Sequence, residues 1–425
     1  MCVRLVLKGA SPFRTATNSL KITFEALPET SKYKAPSRTT IKRWVQKVGY
    51  YKLVSPKTKG DWRIMLDASI QIGPYKCLIV LGCLKANLPR GRPLKLEDLE
   101  ILYLKITAKL NSEVVFDTLN KVKFLVGSIS GITIDQGSDI LKGVKNFQLS
   151  NPEVRYINDT AHRVANNLKA CLENDERGKT FRINVTQSRR KMQYLLISGL
   201  LPPSPREKAR FMNVSSLIEW AADMLFLINN TISVNSLNME EVKKQLGWLE
   251  DYREDIGIWH QYTQIAKAAR ECVRMEGIHV NTVSSFKNAI SSIPIGFQGF
   301  QFVDRISTFL MEQSKGLKLD DCFIGSTEVI ESLFGKMKYM EREQTAFGFT
   351  SLVLAGIACV GKTEDKTIAE AINVVKLDDI DLWTKNEIKQ STQSQRGKIK
   401  KLIMFLKEKP GEESSGILQR DAVGF

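Results

Sequence analysis

The sequence predicts an α/β fold in which a mixed sheet is interrupted by an all-helical insertion. Between residues 60 and 172, short apolar segments bounded by glycine and turn residues alternate with amphipathic segments. From about residue 175 to 320 this alternation stops and the pattern becomes helical. With 425 residues, 43% of them hydrophobic and 25% charged, the chain is long enough for several packed domains.

Residues 1–58 are predicted to form a small helical, basic N-terminal DNA-binding segment. The first 60 residues hold 13 lysines and arginines against two acidic residues, and a basic excess favours a polyanionic partner. A helix is predicted over Pro36–Gly49, and its apolar side chains recur at helical spacing. The basic residues that lie largely off the apolar face are Arg38, Lys42, Arg43 and Lys47. The pattern fits a helix-turn-helix recognition helix and, equally, a helix packed on the next domain. Because the first 35 residues resemble the end of a longer segment, we expect the DNA-binding domain to be incomplete.

Residues 59–174 carry the first part of the predicted core. Three strands come first and form a meander, and two further strands alternate with helices, as in a sheet with parallel strands. The predicted strands are Trp62–Gly73, Tyr75–Gly82, Leu99–Ile106, Gly131–Asp135 and Val154–Ile157. The predicted helices are Ser112–Val126, Ile140–Phe147 and Asp159–Leu172.

Residues 175–322 are predicted to be an all-α insertion. Helices are expected over Phe211–Ile228 and over Met239–Met275, the latter broken at Gly247 and Gly257. A basic cluster near the start of the insertion suits the backbone of DNA or, equally, a solvated helix face; it contains Arg189, Arg190 and Lys191. Trp248 and Trp259 suit stacking on an unpaired base, but packing in the core is the favoured interpretation.

The core is predicted to resume at residues 323–365 with two helical segments, Ser326–Met340 and Phe347–Cys359. Residues 366–425 are predicted to be a basic C-terminal tail that frays or docks on DNA.

Two aspartates stand where catalytic acids are expected. Asp67 lies in the middle of an apolar strand, where an unpaired carboxylate is costly unless it faces a site. Asp135 ends a strand, where open α/β sheets place ligands, although an aspartate before glycine also forms turns and helix caps. Cleavage of phosphodiesters by two metal ions about 3.5–4 Å apart needs such carboxylates on rigid elements.

The combination resembles the DDE transposases with a ribonuclease H-like fold, especially Mutator-like elements and related bacterial insertion-sequence transposases. The resemblance covers roughly residues 60–360. It rests on MLDASIQIG around Asp67, ITIDQGSDI around Asp135, Asp159-Thr160-Ala161-His162, and the helical insertion before GSTEVIESLFGKMK. The family's Thr-x-x-Ile-Glu pattern aligns with Thr327, Ile330 and Glu331.

The resemblance implies a catalytic and metal-binding triad of Asp67, Asp135 and Glu331. Glu328 is the alternative third ligand, because residues three apart on a helix reach the same region. An acid in the first helical turn also complements the helix dipole, which explains Glu328 without catalysis. His162 is assigned a supporting role in the active site, and Asp159 either a supporting role or that of a helix cap.

The resemblance further implies a DNA transposase that cuts strands and joins a 3′-hydroxyl to target DNA. Its cofactor would be two Mg²⁺ (or Mn²⁺) ions, its partner double-stranded DNA at transposon ends and target, and its assembly a homodimer or larger. Two alternatives remain: a nuclease or resolvase of the same fold without strand transfer, and a catalytically silent, transposase-derived DNA-binding regulator.

Gly356–Thr363 matches the P-loop pattern G-x-x-x-x-G-K-[ST]. Only 62 residues follow it, too few for the remaining strands of a nucleotide-binding sheet, so we expect the end of a core helix instead.

The seven scattered cysteines include no CxxC pair, which argues against a zinc knuckle or a disulfide framework. Neither a membrane span nor a signal peptide is predicted, so we expect an intracellular protein, in the cytoplasm or nucleoid of a bacterium or the nucleus of a eukaryote.

Overall fold

A five-stranded mixed sheet lies at the centre of the computed structural model. The structure describes residues 1–27, 29, 32–72, 75–135, 137–173, 175–204, 210–230, 238–341, 349–388 and 392–408. The strands are β1 (Gly60–Ile72), β2 (Tyr75–Leu84), β3 (Glu100–Thr107), β4 (Gly127–Ile134) and β5 (Arg155–Asn158). Their order is β3-β2-β1-β4-β5. β1–β3 pair antiparallel, which confirms the predicted meander, while β4 pairs parallel with both β1 and β5.

Helices cover both faces of the sheet. On one face lie α4 (Ser112–Val126) and α5 (Ser138–Leu149), whose buried side chains pack with those of Leu66 and Ile134. Successive strand residues point to opposite faces, so Met65 packs on the other side. That side is covered by a later helix, Glu328–Glu341, through its apolar residues.

The helical region predicted after the fifth strand is present and has a core of its own. It follows α6 (Thr160–Glu173) and comprises α7 (Glu176–Met192), α8 (Arg210–Asn229), α9 (Met239–Leu246), α10 (Arg253–Glu276), α11 (Thr282–Ala289) and α12 (Phe297–Ser314). Trp259 is buried against Phe181 at a ring-centroid distance of 5.1 Å, so this tryptophan packs in the core rather than facing a ligand.

The long helical stretch from residue 239 breaks once. At Gly247 the chain enters a 3-10 turn that runs to Tyr252, as predicted. The prediction of a second break at Gly257 is wrong, because Gly257 lies inside α10. A glycine within a helix costs only about 1 kcal/mol relative to alanine, and the burial of Ile256 and Trp259 on either side outweighs it.

The N-terminal segment is helical and packs on the C-terminal part of the chain. It forms α1 (Cys2–Leu7), α2 (Phe13–Ala26) and α3 (Arg38–Val54). Ser37 caps α3 by accepting a hydrogen bond from the Thr40 amide, but the helix continues five residues past the predicted end at Gly49. A Cβ at Gly49 would lie 1.8 Å from the Leu354 carbonyl oxygen, so glycine is required where α3 approaches the last core helices.

Further helices follow the insertion in the described part of the chain. They are α13 (Glu328–Glu341), α14 (Val353–Ile357), α15 (Asp365–Val374), α16 (Leu377–Glu387) and α17 (Thr392–Glu408). Val375 and Ile380 are buried against the α3 region, so residues 365–388 are a packed unit where the sequence predicted a tail. No helix in the described part of the chain combines the length and apolar character needed to cross a membrane.

One segment ties the insertion back to the sheet. Phe323 pairs with Ile278 in an isolated antiparallel bridge, and its ring lies 3.7 Å from the buried guanidinium of Arg63 on β1. Arg63 also donates to the Cys322 carbonyl oxygen, while Thr133 on β4 donates to that of Ile324. These contacts hold the returning chain across the sheet.

Gly131 provides a test of this close packing. A Cβ at this position would lie 2.5 Å from the Phe323 ring and 3.0 Å from Arg63 Cδ. We expect Gly131→Ala to lower the free energy of unfolding in urea by about 1–3 kcal/mol through overpacking.

Gly257→Ala is the matched control, since no heavy atom lies within 4 Å of its Cβ position. It should stabilise the protein by about 0.5–1 kcal/mol through helix propensity. Equal effects of the two substitutions would contradict the packing described for residues 321–325.

Candidate functional site

The register of the sheet sets the positions of two predicted acids. Leu66 of β1 is paired with Ile134 of β4 in parallel register, so Asp67 and Asp135 follow residues at the same level of neighbouring strands. Parallel strands lie about 4.8 Å apart, which brings both backbones to the same edge of the sheet. Asp67 is buried and points to the face that α13 covers, since Met65 two residues earlier packs there.

Each aspartate also makes a local hydrogen bond. Asp67 Oδ1 accepts from the Ala68 amide at 2.5 Å. Asp135 Oδ1 accepts from the Gly137 amide at 3.1 Å, just before α5 begins. Asp135 therefore forms the turn that the sequence analysis gave as an alternative to a catalytic role. This turn lies at the same edge of the sheet as Asp67 and Asp159.

Asp159 directly follows β5, the next strand of the sheet, and connects β5, α6 and α13. Its amide donates to the Ile134 carbonyl oxygen at 2.9 Å, which places it beside Asp135 at the end of β4. Its carboxylate is buried and accepts from the His162 amide at 3.0 Å and from the Thr327 amide and hydroxyl at 2.8 and 2.5 Å. Burial raises the pKa of Asp159, but the hydrogen bond and charge of the His162 ring, together with the bonds from Thr327, lower it overall. Asp159 therefore caps α6 and also fixes the start of α13.

His162 lies between the acids as a cation. Its Nδ1 is 3.4 Å from Asp159 Oδ2, and its Nε2 is 3.9 Å from Glu331 Oε1. The hydrogen bond to Asp159 raises the pKa of His162 to about 9, with contributions from the charges of Glu331 and Asp135. The imidazole therefore carries a proton at neutral pH and links the acid of α13 to those at the strand ends.

The two candidate glutamates of α13 have different surroundings. Glu331 faces His162. Partial burial raises the pKa of its carboxyl, the charge of His162 lowers it, and the charges of Asp159 and Asp67 raise it. Glu328 forms an ion pair with Arg270, which reaches it from α10 of the insertion. Of the two glutamates, Glu331 is therefore the one whose pKa is affected by the charges of Asp67 and His162.

Carboxylate oxygens are the ligands that Mg²⁺ takes in proteins, so the donor chemistry of these acids suits that ion. Their arrangement does not. Across the described ranges, no group of three or more His, Cys, Asp or Glu is placed to hold a metal ion. We therefore derive no chemical step through a metal from these side-chain positions.

The residues predicted to bind DNA belong to α3 and α7, whereas the candidate acids belong to β1, the end of β4 and α13. On α3, Lys47 Nζ donates to the Ile372 carbonyl oxygen, and Lys42 is half-buried with a pKa lowered by burial and by Arg38 and Arg43. On α7, Arg189 Nη1 donates to the Pro202 carbonyl oxygen at 3.0 Å. The remaining predicted residues, Arg190 and Lys191, end the same helix. Eleven positions separate α2 from α3, whereas a helix-turn-helix unit has a turn of about three or four residues.

Basic side chains near Glu331 were not predicted from the sequence. Arg270, paired with Glu328, and Lys336, on α13, line a cavity of about 1,460 Å³ that also reaches His162 and Glu331. Arg270 is 58 residues from Glu328 along the chain, so only the folded insertion brings them together.

Backbone carbonyl oxygens of the P-loop-like segment accept hydrogen bonds from a lysine of the same chain. Lys52 of α3 donates from Nζ to the carbonyl oxygens of Ala358, Val360 and Gly361 at 3.0, 2.6 and 3.2 Å, and to the Thr363 hydroxyl at 2.6 Å. A P-loop instead presents backbone amides to phosphate. The segment therefore binds a lysine of its own chain, and Lys362 extends outward, exposed.

Comparison of the chain with protein-family models and with curated proteins finds no match. Among solved structures, the chain is similar to a chain of the Drosophila P element transposase strand transfer complex. The identity is 11% and the TM-score 0.35, over 88% of this chain and 91% of that one. At this level of likeness, no property of that complex is carried over to this protein.

The pKa of His162 provides a test of the site's geometry. The chain holds three histidines, so their NMR titrations are separable, and we expect one imidazole to titrate near pH 9. In Asp159→Asn this pKa should fall towards 6.5, because the main hydrogen-bond partner loses its charge. Since the folded pKa is raised, the stability from this proton is complete below pH 6.5 and is lost as pH rises through 9.

Unchanged signals from His260 and His279 would show that Asp159→Asn keeps the fold. A His162 pKa near 6.5 in the wild-type protein would contradict the pairing with Asp159.

Proposed function

We propose that the protein is a DNA transposase with a ribonuclease H-like core that cuts DNA strands and joins a freed 3′-hydroxyl to target DNA. Asp67, Asp135 and Glu331 are its proposed catalytic acids. The observation that carries the proposal is that Asp67 and Asp135 follow paired residues of neighbouring strands, while Glu331 of α13 lies next to His162, which is paired with Asp159. The distance from Glu331 Oε1 to His162 Nε2 is 3.9 Å.

The sheet gives further support. A meander of β1–β3, with β4 and β5 parallel on the far side of β1, agrees with the arrangement that the resemblance to ribonuclease H-like transposases implies. The helical insertion between α6 and α13 lies where that resemblance requires it. Sheet order and insertion position are independent of the acids, so they support the fold assignment separately.

The chain's own residues have distinct proposed roles. Asp159 is a positioning residue, because its carboxylate joins the start of α6 to Thr327 before α13. His162 balances the negative charge of Glu331 and Asp135, which allows several carboxylates to lie close together. Glu331 is preferred to Glu328 as the third acid, because Glu328 is engaged by Arg270.

Metal dependence is part of the proposal. Asp67, Asp135 and Glu331 would hold two Mg²⁺ or Mn²⁺ ions, which would supply Lewis-acid chemistry for cleavage of the phosphodiester. Among the described residues, the acids are not placed to hold a metal ion. The dependence on metal is therefore tested separately, by adding a chelator to the activity assay.

The activity test uses supercoiled plasmid and a labelled oligonucleotide that ends in a 3′-hydroxyl, with Mg²⁺ or Mn²⁺. We expect the wild type to nick the plasmid and to join the label covalently to it. Loss of a residue that only supports a metal ligand lowers activity by roughly 10- to 100-fold. Asp67→Asn, Asp135→Asn and Glu331→Gln should each lower the nicking and joining activity by more than this. A chelator should abolish the activity.

Glu328→Gln is the matched control on the same helix turn, and it should retain most activity. Nicking without joining would favour a nuclease, and DNA binding with neither reaction would favour a DNA-binding regulator. Full activity of Asp67→Asn would exclude the proposed acids.

A further inference from the structure

A large open cleft extends away from the candidate acids. Its volume is about 1,460 Å³, and it begins at His162 and Glu331. It then runs between α10 of the insertion and α13, towards residues 88–97 and 361–364. Nothing in the proposed catalytic roles uses this part of the molecule.

Three exposed lysines from separate segments line the cleft. Lys8 follows α1, Lys336 lies on α13, and Lys362 belongs to the P-loop-like segment whose carbonyls are bonded to Lys52. Among the described residues, no carboxylate forms an ion pair with any of the three. Their charges are therefore available to an anionic ligand.

An apolar pocket of about 540 Å³ opens beside these lysines. It shares Lys8 and Lys336 with the cleft, and its walls include Phe13 and Tyr339. Gly335 also lines it, and no heavy atom lies within 4 Å of the position that a Cβ would take there. A flat apolar group attached to an anionic chain would fit this combination of pocket and lysines.

We propose that the cleft binds one single strand of nucleic acid, with phosphates on Lys8, Lys336 and Lys362 and one unstacked base in the pocket. Lysines that neutralise phosphates release condensed counterions, and an exposed aromatic ring such as that of Tyr339 stacks on bases of any sequence. A base in a duplex has both faces covered, so the pocket selects an unpaired strand. The site rests on the proposed function, since it would guide a strand to the acids near His162.

The lysines are tested by the salt dependence of binding. The probe is a fluorescein-labelled oligothymidylate, measured by anisotropy without divalent metal at several NaCl concentrations. For Lys8→Ala/Lys336→Ala/Lys362→Ala, the slope of log K against log salt should become shallower by about 0.7 for each lysine.

The matched control is Lys109→Ala/Lys142→Ala/Lys145→Ala, which removes three exposed lysines on the α4–α5 side of the sheet. It should leave the slope unchanged. Equal slopes for the two triple variants would overturn the proposal.

The pocket is tested by Gly335→Leu, whose side chain would fill it. Affinity for oligothymidylate should fall about ten-fold or more, because the base loses its stacking site. Affinity for inorganic polyphosphate, which has no base, should be unchanged, whereas the lysine triple variant weakens both ligands.

Gly257→Leu, on the exposed face of α10, controls for the added side chain. Unaltered oligothymidylate binding by Gly335→Leu, equal loss of both ligands, or tighter binding of duplex than of single strand would each overturn the proposal. These assays involve no cleavage. If binding depends on the lysines and the pocket but the protein does not nick DNA, only the proposed function is rejected. If the protein nicks DNA but the lysine and pocket variants bind oligothymidylate as the wild type does, only the proposed cleft site is rejected.

Discussion

The buried carboxylate of Asp159 is the constraint on which the site depends. It accepts hydrogen bonds from the amides of His162 and Thr327 and from the Thr327 hydroxyl, residues that are 165 positions apart in the chain. A buried charge is costly unless it is hydrogen-bonded, so the carboxylate is stable only when the chain returns from the insertion to this point. The hydrogen bonds of Asp159 are therefore complete only when the insertion is folded and brings Thr327 back to the sheet.

This constraint determines how the remaining acids meet. Asp67 and Asp135 are set by strand register, which requires nothing from the insertion. Glu331 depends on Thr327, because that residue begins the helix at whose first turn Glu331 lies. Arg270 adds a second dependence by holding Glu328 from α10. A change deep in the insertion would thus act on the third acid and leave the two aspartates in place.

Much of the fold could be predicted from local patterns. The helix Ser112–Val126 forms within its predicted limits because Asn111 caps one end and Gly127, at φ 94°, ends the other. The strands were predictable for the same reason, since alternation and turns are local. Gly257 was misinterpreted because the burial that keeps its helix intact comes from distant side chains.

The parts that could not be predicted all depend on contacts far apart in sequence. Lys52 is one of the basic residues of the segment predicted to bind DNA. In the structure it donates hydrogen bonds to the carbonyl oxygens of a loop some 300 residues later. The same packing explains why one face of α3 is buried. The cleft beside Glu331 likewise joins six separate segments of the chain, and the pattern of residues within any one of them does not predict it.

The central claim is that Asp67, Asp135 and Glu331 form one catalytic site. The most direct test is anomalous diffraction from crystals of the protein soaked in Mn²⁺, a metal whose position can be identified without reference to the chain. The account predicts Mn²⁺ bound by carboxylate oxygens of these three residues at the carboxyl ends of β1 and β4. Mn²⁺ bound elsewhere, or bound by Glu328 with Glu331 turned away, would contradict it.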